Sequence, residues 1–516
     1  MNNFSNKTIS NLIKSAESDE NAENWKSAAS HYYAALKVAP FEAELLFRLG
    51  ACLRRAGNPG EALRYLEKSV ILSSEIAAYE TERGDALQQL RRLDEAVIAY
   101  NRAIELEPEN VTAVTNLAIA LQEGGHPSEA LANLELAMEF APKDPVVRLN
   151  YGSALMRFGQ LDRALSLFRD IVAEFPNYAP AWSNLAFALQ QSLKIEEALE
   201  AHRKALAITP NEPAIRWNHA MTRLLIGDFE AGLRDFEARR EMPDRKPRDF
   251  PGDEWRGESL VSKTILVHAE QGLGDTLQFS RFLRYLGIRG ARVIFAVHSA
   301  LADLIADVEG VSVVVAGAGP IPPYDYQIPL LSLPMRLNVE LESLSDQTPY
   351  IVPPKKIRRL ISTPDKAKRN IGIVWAGNAT HANDRNRSCP LSSLMPLFDV
   401  PHISWFSLQV GIRAADIERC QAPLQDLSPY LNDFTTTAAT ISDLDLVISV
   451  DTAVAHLAGA MGTPVWILLP YSPDWRWMME RRDSPWYPSA TLFRQRRSGD
   501  WDAVALAVIR KLLSDK

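Results

Sequence analysis

The chain has 516 residues, 47% of them hydrophobic and 23% charged, which excludes intrinsic disorder and asks for about three folding units. Its formal net charge of -8 argues against a general binder of nucleic acid or anionic membrane, because both need a positive field. The polar start MNNFSNKTIS holds no signal core, and the scattered Cys52, Cys389 and Cys420 suit a reducing compartment. The histidines form no HxxxH pair, so no bound metal and no cofactor are expected. The most apolar stretch, Ala453 to Pro470, contains His456 and the Gly462-Thr463-Pro464 turn. It reads as a buried helix and strand, not a transmembrane segment, and the expected location is cytoplasmic.

The first half repeats every 34 residues. Alanine recurs at Ala28, Ala62, Ala96, Ala130, Ala164 and Ala198, and Gly232 continues the phase. A second small position runs Gly50, Gly84, Ala118, Gly152, Ala186, Ala220. Proline follows each alanine by twelve residues at Pro40, Pro108, Pro142, Pro176 and Pro210, with Ser74 in the remaining slot. This predicts antiparallel helix pairs that approach closely at the small residues and stop before the prolines, which cannot continue a helix. Asn116, Asn150, Asn184 and Asn218 share the phase. They fall at one place on four successive first helices, packed roughly 8–10 Å apart. An extended peptide advances about 3.4 Å per residue, so an amide rung would meet its backbone about every third residue. The same asparagines can instead hydrogen-bond between adjacent repeats.

Near Arg240 to Gly257 a charged, proline-bearing stretch reads as a linker. Strands are then predicted at Thr264–His268, Val293–Val297 and Val311–Val315, with helices at Thr276–Leu286 and Ala300–Ala306. Pro353-Pro354 and the basic run to Arg369 suggest a hinge. Strands resume at Ile371–Trp375, Trp405–Leu408, Leu446–Val450 and Val465–Leu469, with helices near Leu391–Leu397, Thr435–Ile441 and Ala453–Met461. The fold class is an α-solenoid followed by an α/β module of two doubly wound parallel-sheet lobes. The domains are 9–246 (repeats), 247–261 (linker), 262–355 (first lobe) and 368–516 (second lobe).

Three segments can carry chemistry. His268-Ala269-Glu270-Gln271-Gly272-Leu273-Gly274-Asp275 follows the first strand and opens a helix. An ionised Asp275 there can act as a general base toward an acceptor hydroxyl, or it can only cap the helix. Trp375-Ala376-Gly377-Asn378 precedes Arg385 and Arg387, whose guanidinium forks suit phosphate oxygens. Ser449 to His456 runs from strand into helix. Thr452 and the following N–H groups can form an anion site, with His456 one turn on, and the competing role is a capped helix with a packed histidine. Asp443-Leu444-Asp445 has the DxD spacing of metal-dependent transferases but reads as a polar helix end. Trp466, Trp475, Trp477, Trp486 and Tyr487 read as a hydrophobic seam, with Arg476 among them a further phosphate partner.

The repeat resembles the tetratricopeptide repeat. Gly274-Asp275 and Asp451-Thr452 with His456 resemble glycosyltransferase family 9, the heptosyltransferase-like group of GT-B fold. EQGLGD, WAGN, DRNRS, SVDTAVAHLAGA and PDWRWM make the chain similar to bacterial proteins that join such repeats to a family 9-like module. The asparagine ladder looks like that of the O-linked N-acetylglucosamine transferases. The resemblance implies a metal-independent glycosyltransferase with Asp275 as catalytic base. Gly274, Asn378, Arg385, Arg387, Asp451, Thr452, His456 and Arg476 would bind a nucleotide diphosphate-sugar donor. Asn116, Asn150, Asn184 and Asn218 would bind a protein or peptide acceptor. The rival reading is an interaction scaffold with a silent sugar-nucleotide module. A glycolipid or polysaccharide acceptor is a third.

Overall fold

A computed structural model describes residues 3–242, 250–344, 348–353, 360–361, 368–381 and 383–514. The boundaries expected at 246 and 355 and most of the expected second hinge lie outside these residues. The chain forms two compact units, Met1–Ala188 and Leu189–Lys516.

The first unit is a helical repeat solenoid. Its second helices, such as Trp25–Val38, Pro59–Leu72 and Leu93–Leu106, each carry the repeated alanine fully buried one turn in, as Ala28, Ala62 and Ala96. Pro40 and Pro108 stand two residues past the helix ends. The second small position packs against a bulky residue on the following helix. A Cβ on Gly84 would lie 2.5 Å from the Tyr100 ring, and one on Gly152 would lie 2.5 Å from Phe168. Two asparagines brace neighbouring repeats by the same step. The Asn116 amide donates to Asp85 at 2.8 Å, and Asn184 donates to Ser153 at 2.9 Å. Asn218 belongs to the second unit.

The second unit opens with helical hairpins that continue to Phe229–Phe236 and then becomes α/β. The first sheet has β1 (Thr264–His268), β2 (Arg292–Val297), β3 (Val311–Ala316) and β4 (Tyr326–Pro329), in the order β3-β2-β1-β4. The second sheet has β5 (Arg369–Val374), β6 (Ile403–Ser407), β7 (Gln425–Asp426), β8 (Leu446–Val450), β9 (Val465–Leu469) and β10 (Ala490–Arg494). Its order is β10-β9-β8-β5-β6-β7. All neighbouring strands in the two sheets pair parallel. β4, β7 and β10 were not expected, because short or mixed-polarity edge strands show weak periodicity; the helix Trp501–Ser514 was not expected either. The helix expected over Thr276–Leu286 is instead Leu273–Phe279, a 3-10 turn and Leu283–Ile288.

In each sheet the chain builds outward from its first strand and then returns to that strand's other side. The strand carboxyl ends at these reversals, β1/β4 and β5/β8, are where open α/β sheets bind ligands.

The last hairpin is part of the α/β core. Leu224, Phe229 and Phe236 share one hydrophobic cluster with Trp475, Trp486 and Phe279. Phe229 lies 5.9 Å from Trp475 and 6.1 Å from Trp486, ring to ring. Trp475, Trp477, Trp486 and Tyr487 are all buried in one cluster and form the expected seam, whereas Trp466 packs on Phe493 in the separate cluster that holds Trp375 and Trp405. Asp445 accepts the Asn370 N–H at 2.7 Å, ending the DxD segment as a polar helix terminus. Among the described residues no helix is long and apolar enough to cross a membrane.

Phe229→Ala is expected to cost about 3–5 kcal/mol, as large-to-small changes in a packed core do, read by denaturant unfolding of the second unit. Ile98→Ala, at a site 64% exposed, is expected to be near neutral. Asn184→Ala is expected to cost about 0.5–1.5 kcal/mol in the first unit's unfolding, the net worth of its bond to Ser153; an unchanged midpoint would remove its bracing role.

Candidate active site

A cleft of about 1250 Å³ opens within the second unit at both strand reversals. It is lined by Gly272–Asp275 after β1, by Ala376–His381 after β5, by Asp451–Val454 after β8, and by Asp474–Arg476.

Asp275 sits in the first turn of Leu273–Phe279. One carboxylate oxygen accepts the Gly272 N–H at 2.9 Å, so Asp275 does cap its own helix. Its other oxygen accepts from the Arg476 guanidinium. Arg476 also donates to Gln278 at 2.6 Å and to Asp474 at 2.9 Å. Burial works against the Arg476 charge, but Asp474 and Asp275 outweigh it and hold the group above its ordinary range. Arg476 is thus committed to holding Asp275, and it could grip a phosphate only by sharing or releasing these acceptors.

Thr452 is the N-cap of the helix Ala453–Ala460, with its hydroxyl accepting the Ala455 N–H at 3.5 Å and lying 2.9 Å from Ser449 Oγ. One turn on, His456 is buried and stacked on Trp477, with Nδ1 2.9 Å from the Tyr487 hydroxyl. Burial first, then Arg476, Arg281 and Arg387, push its pKa well below the usual imidazole value, so the ring is neutral. A Cβ on Gly274 would lie 3.0 Å from His456 Cδ2, so glycine eases the close approach of the two helix starts. Asp451 lies 3.7 Å from His456 Nε2. Burial, then the charge of Asp474, push its carboxyl up to about 6, against Arg387 and Arg476.

Arg387 lies across Gly377, where an added Cβ would come within 2.6 Å of Nη2. Its Nε is 3.7 Å from Asp384 and makes no hydrogen bond among the described residues. Arg387 lines the cleft and Arg385 does not. The turn Asp384–Arg387 is helical, and residues two apart on a helix point to nearly opposite sides, so the expected pair of arginines supplies one cleft cation. Asn378 lines the cleft, but its carbonyl is taken by the Thr380 N–H at 3.1 Å and hydroxyl at 3.0 Å.

Several residues that shape the cleft were given no catalytic or donor-binding role by the sequence. Gln409 accepts the Trp375 and Ala376 N–H groups and clamps the loop after β5. Glu270 is bound by Arg239, at 2.6 and 3.1 Å, which also donates to Ser332 at 2.8 Å. His381 lines the cleft with its pKa lowered by burial and then by Arg387. Gln278 and Tyr487 act through partners distant in sequence, Arg476 and His456, whereas Asp474 accepts from Arg476 two residues on, within the PDWRWM segment.

Family models match segments in both parts of the chain. Models of the tetratricopeptide repeat match residues 14–77, 77–110 and 155–224. The model described as glycosyltransferase family 9 (heptosyltransferase) matches residues 412–502. Protein FlbA of Caulobacter vibrioides is 25% identical over 369 residues, which is 58% of this chain and 61% of that protein. The match therefore spans about three fifths of the length of that relative. A tetratricopeptide repeat protein from Parabacteroides merdae is 18% identical and aligns with 46% of this chain and 94% of its own, at a TM-score of 0.41. YrrB, described as a TPR protein with an unusual peptide-binding site, is 25% identical over 36% of this chain and 96% of its own, at a TM-score of 0.29. The chain thus joins segments that match tetratricopeptide-repeat models to a C-terminal segment that matches the glycosyltransferase family 9 model, within an α/β region of two parallel sheets consistent with a GT-B module.

The raised Asp451 pKa sets a pH dependence. The folded chain keeps this proton up to about pH 6, whereas an unperturbed aspartate loses it near 3.8. Folding therefore takes up a proton between these values, and the Asp451 contribution to stability declines as pH rises through that window. Asp451→Asn is expected to gain stability relative to the parent from pH 4 to pH 7, by denaturant unfolding at each pH. Parallel curves would show that Asp451 titrates normally.

Proposed function

We propose that this cleft transfers a sugar from a nucleoside diphosphate-sugar to an acceptor hydroxyl on a protein, and that it does so without a metal ion. The observation that carries the reading is convergence: Asp275, Arg387 and the Thr452-capped helix start reach one cleft from both strand reversals. Asp275 takes the acceptor proton while the acceptor oxygen bonds the anomeric carbon. The bond from that carbon to the diphosphate breaks, and its electron pair leaves on the phosphate oxygen. Negative charge thus develops on the departing diphosphate, where Arg387 and the N–H groups at the start of Ala453–Ala460 stabilise it. Neutral His456 adds a polar contact without repelling Arg387 or Arg476. The bond from Arg476 aims the Asp275 carboxylate and leaves lone pairs for the acceptor proton. The tetratricopeptide repeats would present the acceptor.

The purified chain is expected to release nucleoside diphosphate from one member of a nucleotide-sugar panel, with or without a chelator. Asp275→Asn is expected to lower transfer roughly 10²–10⁴-fold, the scale of general base catalysis, while nucleoside diphosphate binding by calorimetry is retained. A large loss of binding on chelation would end the metal-free reading. Full transfer by Asp275→Asn would reduce Asp275 to a helix cap.

A further inference from the structure

One wall of the cleft comes from the repeats. Trp217 and Met221, on the repeat helix Pro213–Leu225, line the same cleft as Gly272–Asp275. Four residues apart, they share a helix face. The Trp217 ring is stacked on Phe236 at 4.8 Å, which fixes its plane. The segment Trp475–Trp477 packs against this same helix, and its Arg476 holds Asp275. The wall and the base are thus set by one piece of packing.

We infer that Trp217 and Met221 form the acceptor subsite, and that it receives an apolar side chain of a polypeptide beside the hydroxyl to be modified. This rests on the transferase reading of the cleft. What decides the acceptor's chemistry is the state of the charged groups on that wall. Arg239 is spent on Glu237, Glu270 and Ser332, and Arg240 is bound to Glu237 and Glu254. A carbohydrate acceptor needs side-chain hydrogen bonds to its hydroxyls, and an anionic acceptor needs a free cation. The wall offers instead an indole and a flexible thioether, which favour apolar contact over a range of shapes.

The test reads binding and not turnover. Alanine-based peptides with a central serine, varied at the flanking positions, are titrated against the full chain. A benzoylphenylalanine flank is photo-crosslinked and mapped by mass spectrometry. Peptides with Leu, Met or Phe beside the serine are expected to bind best and to crosslink within residues 213–225. Met221→Lys is expected to weaken them roughly tenfold, as loss of an apolar contact in a pocket does, and to favour an Asp flank. Met221→Gln, of similar length, is expected to lose the preference while keeping the parent melting temperature, which separates the subsite role from packing. Binding that ignores the flank, no peptide binding, or crosslinks only outside this helix would overturn the inference. So would short oligosaccharides whose binding the Met221 variants weaken. Peptides that bind as expected on a chain that turns over no nucleotide-sugar would leave this subsite standing and sink the transferase reading alone.

Discussion

The second unit is organised around a buried arginine. Arg476 lies nine-tenths or more out of water, and an unpaired guanidinium there would be costly. Its partners come from two places: Asp474 from its own turn, and Asp275 and Gln278 from the helix after β1. Satisfying one charge therefore docks the first lobe on the second and sets the Asp275 carboxylate at the cleft. A second buried arginine completes the joint. Arg281 donates to the Leu344 and Trp486 carbonyls and to the Tyr350 hydroxyl, under the Tyr350 and Tyr487 rings. Tyr487 in turn bonds His456, so both arginines act on the same helix start.

The repeats enter this arrangement through packing and through one ion network. Phe229 and Phe236 fill the seam beneath Trp475, and Arg239 reaches from the last turn of the repeats to Glu270 in the loop that carries Gly272–Asp275. Removing one partner of such a buried network strands the others, so the network constrains geometry more than it adds stability. The last repeat is consequently a structural part of the cleft, which is why its side chains can shape what enters.

The cleft's charges have separate tasks. Arg476 and Arg239 are neutralised by several acceptors each, whereas among the described residues Arg387 is paired with Asp384 alone, at 3.7 Å. An incoming diphosphate would find Arg387 the least engaged of these three. Asp451 and neutral His456 both feel the charges of Arg387 and Arg476, which pull the Asp451 pKa down against burial and push the His456 pKa further down.

Local chemistry made much of this legible. The 34-residue phase of small residues and prolines needs only one helix pair and its neighbour to be visible, and strands β1, β8 and β9 were bounded by their apolar runs. The glycine and helix-start motifs marked three cleft-lining segments because tight turns and caps are written within a few residues. The sequence by itself thus determined repeats, alternating strands and helices, and the segments that face the cleft. The tertiary structure alone decided how they are used. It chose Arg387 over Arg385 by the phase of one short helical turn. It turned Arg476 from a phosphate partner into the holder of Asp275 through contacts some 200 residues apart. It also made the last repeat a wall of the cleft. Each of these depends on which buried charge meets which partner across the fold, and spacing along a chain carries no record of that.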